Sequence, residues 1–316
     1  MVVDTILSVW LLSCVLAILI TIFIRIRRKI NKSKLLLPRG IENKNCSSFF
    51  NSVMQTFASL ECFFNYLKKS NQKNDSLTKS IYEFLKEIRE NGLPIDNREY
   101  YKKIMSHLNE KEYFEFNEEN CAEELFSCII YQLFDEELKY KNIKIYDSKD
   151  ISRKLIERIQ IESRIFNLFG IAKYKNKHSI VFSMFSPGFN TINGSLDEYH
   201  RRHDKDILPD WDLLEFYILP QYCFIAYTSD FLNVKKLKLD DENDVIIKNK
   251  IYKLVSAGLF SQSLINKGKY MSLSKRDISF YLFDDENVKE VISKNQININ
   301  AELVYSVHEL QNGKTE

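Results

Sequence analysis

The sequence lacks several features that would mark a metal site, a disulfide scaffold or a nucleic-acid-binding protein. It has six cysteines, but no CxxC pair and no Cys/His run with metal-ligand spacing, so neither a zinc ribbon nor a disulfide framework is indicated. It also lacks an excess of charge, because 45 Lys and Arg face 43 Asp and Glu. Composition therefore does not point to nucleic acid or an acidic substrate, and the cysteine usage predicts a reducing compartment.

The longest apolar run lies at the N-terminus. Residues 5–24 read TILSVWLLSCVLAILITIFI without a charge, and about 20 such residues let a helix cross ~30 Å of hydrocarbon. Asp4 precedes the run and five basic residues follow it at positions 25–32, the reverse of a secretory signal. We therefore expect residues 1–35 to be a transmembrane anchor with a basic linker, and the rest of the chain to be cytosolic. The span fits the mitochondrial outer membrane and the endoplasmic reticulum equally well.

Residues 36–316 are predicted to form the folded part of the chain, since the sequence is 45% hydrophobic and 13% aromatic. The segment 50–140 is helical in pattern, and its clearest helix has apolar positions at helical spacing between Ala122 and Phe134, with Asn117 as the expected N-cap. Beyond residue 140, short β-branched and aromatic runs predict strands. These runs lie at 143–145, 180–182, 216–219, 223–227, 245–247, 252–255, 280–283 and 297–307. Helices followed by strands, without βαβ alternation, predict an α+β domain with a mostly antiparallel sheet.

The stretch 40–60, GIENKNCSSFFNSVMQTFASL, reads as a polar loop that runs into a helix. Apolar residues from Phe50 onward recur at i, i+3, i+4 and i+7, so the helix is expected to start near Ser47 or Ser48. A helix N-terminus favours developing negative charge and lowers the pKa of a thiol placed there. This junction is therefore the first candidate for a reactive centre.

Three separated stretches, at residues 40–55, 119–138 and 252–288, carry short motifs in a fixed order. Together they resemble the signature boxes of the ubiquitin-specific protease family, whose members are cysteine peptidases that remove ubiquitin. The family's first box, roughly G-L-x-N-x-G-N-T-C-Y-x-N-S-x-L-Q, aligns without a gap on residues 40–55, GIENKNCSSFFNSVMQ. The resemblance places the family's nucleophilic cysteine at Ser48. It places the asparagine that stabilises the oxyanion at Asn43, which matches.

The second and third boxes follow in the family's order. The second, Q-Q-D-A-x-E-F-L with a later H-E-E-L, resembles residues 119–126 (ENCAEELF) and 135–138 (DEEL). The third, Y-x-L, then G-H-Y, then W-x-x-F-D-D-x-x-V, resembles YKL at 252–254, GKY at 268–270 and FYLFDDENV at 280–288. Lys269 stands where the catalytic histidine belongs, and Asp284 falls on the acid that would orient it.

The resemblance, which runs from about residue 40 to 307, implies a papain-like cysteine peptidase fold of the ubiquitin-specific protease type. It implies a helical thumb, an antiparallel-sheet palm and reduced fingers, because the family's zinc-binding CxxC pairs have no counterpart around residues 169–186. We accordingly expect no cofactor and no metal. The implied partners are ubiquitin or ubiquitinated proteins, and the membrane through the N-terminal helix.

The catalytic positions carry the wrong chemistry for this family. A serine hydroxyl has almost no anion at neutral pH and depends on a base, whereas Lys269 would be a cation with an ordinary pKa of about 10.4. Losing a nucleophile or its base alone costs on the order of 10⁶ in turnover in a serine protease. The sequence therefore predicts a catalytically inactive relative, a pseudo-deubiquitinase.

Two hypotheses of an active enzyme remain open, and so does a function that does not involve ubiquitin. A Ser48–Lys269 dyad would need a lysine with a lowered pKa, which Asp284 opposes. Cys46 could be the nucleophile of an active deubiquitinase, but it would face the same lysine. The chain could also be a pure protein-interaction scaffold. His200 and His203 have H-x-x-H spacing, but they lie in a charged run and are expected to form a solvated loop.

Overall fold

The computed structural model describes the greater part of the domain and one residue near the N-terminus. The described residues are 20, 37–44, 46–70, 75–108, 114, 120–141, 163–169, 171–174, 177–178, 214–226, 233–234, 244–247, 249–262, 268–291 and 301–311.

Helices occupy the first half of the domain. They are α1 (Ser48–Ser59), α2 (Glu61–Lys69), α3 (Leu77–Ile88), α4 (Arg98–Ser106), α5 (Ala122–Tyr140) and α6 (Arg164–Phe169).

Strands follow in the second half. They are β1 (Ile171–Tyr174), β2 (Lys177–His178), β3 (Leu214–Ile218), β4 (Tyr222–Ala226), β5 (Asn233–Val234), β6 (Val245–Ile247), β7 (Lys250–Gln262), β8 (Gly268–Arg276), β9 (Ser279–Asp284), β10 (Asn287–Val291) and β11 (Ala301–Leu310).

The strands form two antiparallel sheets. The larger has eight strands in the order β10-β9-β8-β7-β11-β4, with β5 paired to β11 and β6 paired to β7, and the smaller has the order β2-β1-β3. Two-residue turns join β8 to β9 and β9 to β10, and their first residues, Asp277 and Asp285, have positive φ. A short polar side chain tolerates that backbone conformation better than most. The second of these turns carries Asp285 to the start of α1.

Helix α1 lies at the centre of the domain, between the larger sheet and the other helices. Its apolar face packs on α3 and α5, where the Phe57 and Phe126 rings stack with centroids 4.6 Å apart. Its polar face is also buried, because it lies against β7 and β8. There the Thr56 hydroxyl lies 2.9 Å from both Ser256 Oγ and Tyr305 Oη. The helix therefore has two buried faces, one apolar and one hydrogen-bonded.

Two adjacent glutamates of α5 fix the ends of other helices. Glu136 accepts hydrogen bonds from the N–H groups of Leu77 and Thr78 at the start of α3, at 2.9 and 3.1 Å. Glu137 is buried and accepts from the N–H groups of Arg164 and Ile165 at the start of α6. Carboxylates in these positions satisfy helix N–H groups that have no partner within the helix and interact favourably with the helix dipole. The two residues of the DEEL segment are thus structural.

The predicted α+β architecture is confirmed, with helices first and an antiparallel sheet after them. The helix is confirmed to start at Ser48, and the strands at 216–219, 223–227, 245–247, 252–255 and 280–283 are found within two residues of the expected places or inside longer strands. The strand expected at 297–307 is found at Ala301–Leu310, and residues 297–300 lie outside the described residues. The N-cap prediction was wrong: α5 begins at Ala122, so Cys121 occupies the N-cap position and Glu123 and Glu124 supply the acidic first turn. Asn117 and the runs 143–145 and 180–182 lie outside the described residues.

The predicted N-terminal anchor, residues 1–35, also lies outside the described residues, apart from Ile20. Within the part of the chain that the structure describes, no helix is both long enough and apolar enough to span a bilayer.

Candidate active site

Ser48 is the first residue of α1 and lies against the start of β8. Its hydroxyl accepts a hydrogen bond from the Tyr270 N–H at 3.1 Å, and only 4% of its surface is exposed. The preceding Ser47 occupies the N-cap position without a side-chain cap bond. The structure therefore brings the first and third sequence boxes together. The N–H group that binds the candidate nucleophile belongs to Tyr270, the residue after the candidate base Lys269 on β8.

The side chain of Asn43 is held by two neighbours. Its oxygen accepts from the Ser47 N–H at 2.9 Å, and its amide nitrogen donates to Asp285 Oδ2 at 3.0 Å. One amide N–H of the expected oxyanion residue is therefore bound to a carboxylate. An oxyanion donor must point to where charge develops on the substrate, and this N–H points to a charge that the protein already contains.

Lys269 lies between two carboxylates. Its Nζ is 2.6 Å from Asp284 Oδ1 and 2.9 Å from Asp285 Oδ2. Burial lowers the pKa of Lys269, but the close contacts with the carboxylates of Asp284 and Asp285 outweigh it, so the pKa is raised above its ordinary value. The side chain is a cation at neutral pH and has no lone pair with which to accept a proton. The partners of the ammonium group do not include Ser48.

Asp285 is the residue that connects the site. Its side chain is fully buried, and it accepts hydrogen bonds from Asn43, from Asn51 at 2.9 Å and from Lys269. Burial raises the pKa of Asp285, and the donors from Asn51, Lys269 and Asn43 offset this effect only in part. Its backbone carbonyl accepts from the Ile41 N–H at 3.0 Å. The β9–β10 turn is thereby fastened to the loop that leads into α1.

A buried network of asparagine side chains holds the start of α1 in place. Asn97 donates to Asn51 Oδ1 at 2.7 Å and to Ser47 Oγ at 2.8 Å. Both asparagines are 3% exposed or less. Buried polar groups are stable when they are hydrogen-bonded, and connected networks of this kind fix one conformation. The start of α1 is therefore rigidly held.

A glycine lets the loop approach the turn closely. A Cβ on Gly40 would lie 2.7 Å from the carbonyl oxygen of Asp285, so a side chain at this position would push the turn away. This contact explains the glycine that opens the first sequence box.

Cys46 lies in the loop two residues before α1 and is partly exposed. Its φ is +57°, a left-handed conformation that is uncommon for a residue other than glycine. Two other thiols are poor nucleophile candidates: burial, together with nearby Glu123, raises the pKa of Cys121, and burial raises the pKa of Cys223. Cys46, two residues before Ser48 in the sequence, therefore remains the alternative nucleophile to test.

The described histidines lie elsewhere, and one of them, His178, is in β2. His308 is buried in β11, with Nε2 2.9 Å from Ser306 Oγ, and His107 Nε2 is 3.7 Å from Asp75 Oδ1. His200 and His203 lie outside the described residues. In the described part of the chain, no group of three or more His, Cys, Asp and Glu residues could hold a metal ion.

The sequence prediction placed Ser48, Lys269, Asp284, Asn43 and Cys46 around the site, and the structure brings the first four together with Cys46 at the edge. It did not single out Asp285, Asn51 or Asn97. The paired aspartates at 284 and 285 and the asparagine in the first box were visible signals for two of these residues. Asn97 had no sequence signal, because it lies in no box.

Comparison with known proteins gives one family and one fold. The family model for the ubiquitin carboxyl-terminal hydrolase matches residues 39–306. Among curated proteins, none matches the sequence.

Solved structures of the SAGA DUB module share the fold. A chain from a Ubp8/Sgf11/Sus1/Sgf73 module aligns with a TM-score of 0.53 and 11% identity, over 88% of this chain and 68% of that chain. A module with a substituted Ubp8 gives 0.55 and 12%, over 88% and 69%. A yeast module with a substituted Sgf73 gives 0.53 and 12%, over 88% and 67%.

Proposed function

Since the chain belongs to the ubiquitin carboxyl-terminal hydrolase family, we propose that it is a pseudo-deubiquitinase, which binds ubiquitin or ubiquitinated proteins without hydrolysing them. The observation that carries this proposal is the state of Lys269, at the family's general-base position. A general base must accept a proton near the operating pH, and the two carboxylates keep this side chain protonated.

The nucleophile position supports the same conclusion. Ser48 needs a neighbouring base to lose its proton, but its hydroxyl accepts from a backbone N–H and has no base beside it among its hydrogen-bond partners. Asn43 adds a third deficit, because one of its amide N–H groups is bound to Asp285. Nucleophile, base and oxyanion donor are thus all altered or engaged.

The Ser48–Lys269 dyad is the weaker of the two active alternatives. It would require the pKa of Lys269 to fall towards about 7–8. The contacts with Asp284 and Asp285 move the pKa in the opposite direction.

Cys46 is the stronger active alternative, because it is partly exposed and adjacent to the site. A thiolate needs a cation or a base to form and a proton donor for the leaving amine. The described histidine side chains, His107 and His308, have other neighbours, Asp75 and Ser306. An active deubiquitinase that uses Cys46 is therefore a separate hypothesis, which a thiol-reactive ubiquitin probe can test.

A membrane location is part of the proposal. The uncharged run at 5–24 and the basic residues after it support a single-pass anchor that leaves the domain in the cytosol. The protein would then collect ubiquitinated proteins at a membrane surface.

Titration of the full chain in detergent with ubiquitin tests the partner. We expect saturable binding that weakens when ubiquitin lacks its C-terminal tail, because the family acts at that tail. Binding of neither form would overturn the ubiquitin role and favour a scaffold for other proteins.

A ubiquitin probe with a thiol-reactive C-terminus tests the nucleophile in the same preparation. We expect no adduct with the wild-type chain. An adduct that Cys46→Ala abolishes would establish an active centre at Cys46 and contradict the proposal.

A further inference from the structure

A cavity of about 430 Å³ lies at the opposite end of α1 from the candidate active site. Ala58 and Ser59, the last residues of α1, line it, whereas Ser48 begins the helix. At 1.5 Å per residue these ends are about 16 Å apart. The cavity is therefore separate from the site described above.

Three basic side chains line this cavity: Arg89, Lys275 and Arg276. Arg276 is held by neutral oxygens, since Nη2 donates to the backbone and side-chain oxygens of Gln55 at 3.0 and 2.6 Å and Nη1 donates to the Lys275 carbonyl at 3.1 Å. Its Nε is buried without a hydrogen-bond partner. Burial and the charge of Arg89 lower the pKa of Arg276 to about 9, which still leaves it charged at neutral pH.

Arg89 supplies a second unpaired donor. Its Nη2 forms an ion pair with Glu61, and its guanidinium carbon lies 4.3 Å from the centroid of the Phe64 ring. Its Nη1 is buried and has no hydrogen-bond partner. Both arginines are therefore fixed in position, and each retains a buried N–H group that no protein atom satisfies.

The acidic residues of the lining offset these cations only in part. Glu61 is engaged by Arg89, and Glu309 accepts from Gln221 at 3.4 Å. Asp277 lies in the exposed β8–β9 turn, where its charge raises the pKa of Arg276 without forming an ion pair with it. Neither Lys275 nor Arg276 forms an ion pair with a described residue, and a cation withdrawn from water without a counter-ion is costly.

We propose that this cavity binds the phosphate group of a phosphate ester. Fixed guanidinium groups with free N–H donors suit phosphate oxygens, and the Lys275 ammonium adds a mobile charge. The volume exceeds what a bare ion needs and falls in the range of small-molecule sites, which leaves room for the alcohol part of the ester.

The position of the cavity favours a lipid headgroup as the source of the phosphate. Pro38 lines the cavity, and the predicted membrane span ends at residue 24. Fourteen residues reach at most about 50 Å. If the anchor crosses the bilayer as proposed above, the cavity lies within reach of the headgroups, where basic pockets bind phosphorylated lipids.

Binding of the full chain in detergent to inorganic phosphate, measured by calorimetry, tests the phosphate site. We expect saturable binding that Lys275→Gln weakens roughly tenfold, because it removes a charge-assisted contact. Lys275 is half-buried and has no ion pair to lose, so this variant is expected to fold. Arg276→Lys keeps the charge but loses the Nε donor and should weaken binding similarly. Lys289→Gln, an exposed lysine on β10, is the matched control and should change nothing.

Vesicles identify the source of the phosphate. The full chain is reconstituted in vesicles of phosphatidylcholine alone and in vesicles that also contain phosphatidylinositol 4-phosphate, and the two preparations are compared. Protection of Lys275 from acylation by the phosphorylated lipid indicates a headgroup, and protection by soluble phosphate alone indicates a soluble ester. Absence of saturable phosphate binding together with absence of protection, or an equal loss in Lys289→Gln, would overturn the proposal.

Discussion

Lys269 lies between Asp284 and Asp285. Without a cation at this position, the two carboxylates would lie side by side with no counter-ion between them. A lysine is a point charge with three donors, so it can bond to both acids at once. The same bonds that make it a good structural residue make it a poor base. At the residue scale, the loss of catalysis that we propose and the stability of the site would therefore have one cause.

Removal of this charge should reveal the cost of burying Asp285. We expect Lys269→Gln to lower the free energy of unfolding at pH 7 by about 1–2 kcal/mol, because a buried carboxylate loses its cationic partner and keeps two amide donors. The lysine is 39% exposed, so solvent screening holds the loss to this range.

The loss should depend on pH in a defined direction. The folded-state pKa of Asp285 is raised, so its ionisation costs stability as pH rises from the unfolded-state pKa through the folded-state value. Without Lys269 that pKa rises further, and the difference between wild type and variant should be smaller at pH 4 than at pH 7. Urea unfolding at both pH values measures it, with Lys289→Gln as the control. A difference that does not change with pH would contradict this role for Asp285.

The residues of the site were predictable from sequence where they lie in the boxes, and not where long-range contacts define their role. Ser48, Asn43 and Asp284 could be assigned to one site because the spacing within each box is local. The importance of Asp285 depends on bonds to residues more than 200 positions away. Periodicity and spacing carry no information about such contacts.

Among the elements, α1 differs most from the amphipathic helix that its sequence pattern predicts. The apolar spacing predicted one buried face, and the structure buries both. The second face is polar because it hydrogen-bonds to hydroxyls of the sheet, including Tyr305. A sequence pattern cannot distinguish a polar face that contacts water from one that contacts other polar side chains.

The DEEL segment of α5 offers a test of helix capping across elements. Glu137→Ala should lower the free energy of unfolding by about 2–4 kcal/mol, because the N–H groups of Arg164 and Ile165 and the Ser163 hydroxyl would lose a buried acceptor. Urea unfolding measures the loss. Glu290→Gln, on the exposed edge strand β10, should change stability by less than about 0.5 kcal/mol. Equal effects of the two substitutions would show that Glu137 has no capping role.

Contact between β7 and β11 gives a second test at this scale. A Cβ at Gly258 would lie 2.1 Å from the Tyr305 ring, whose hydroxyl bonds to α1. Gly258→Ala should therefore destabilise the domain by about 1–3 kcal/mol or more, as expected for overpacking. Lys250→Ala, at the exposed start of the same strand, should be nearly neutral. Thermal unfolding of the two variants compares them, and a stable Gly258→Ala protein would contradict the close packing.

The whole molecule combines a family fold with, as we propose, an altered catalytic centre and a membrane anchor. The family and the α+β architecture could be predicted because three boxes occur in order and the periodicity changes near residue 140. The eight-stranded order could not, since it depends on pairings between distant strands such as β4 and β11.

Deletion of residues 1–35 tests the anchor. We expect the full chain to stay in the membrane pellet after alkaline carbonate extraction, because about 20 apolar residues make insertion effectively irreversible. The truncated chain should move to the supernatant. A full chain that is extracted by carbonate would contradict the anchor and leave the domain proposals unaffected.

The loss of hydrolysis is the central claim, and a ubiquitin C-terminal fluorogenic amide tests it most directly. We predict that the full chain releases the fluorophore no faster than its Ser48→Ala and Cys46→Ala variants do, because the two carboxylates keep Lys269 protonated. Steady hydrolysis by the wild-type chain that either substitution abolishes would contradict the account.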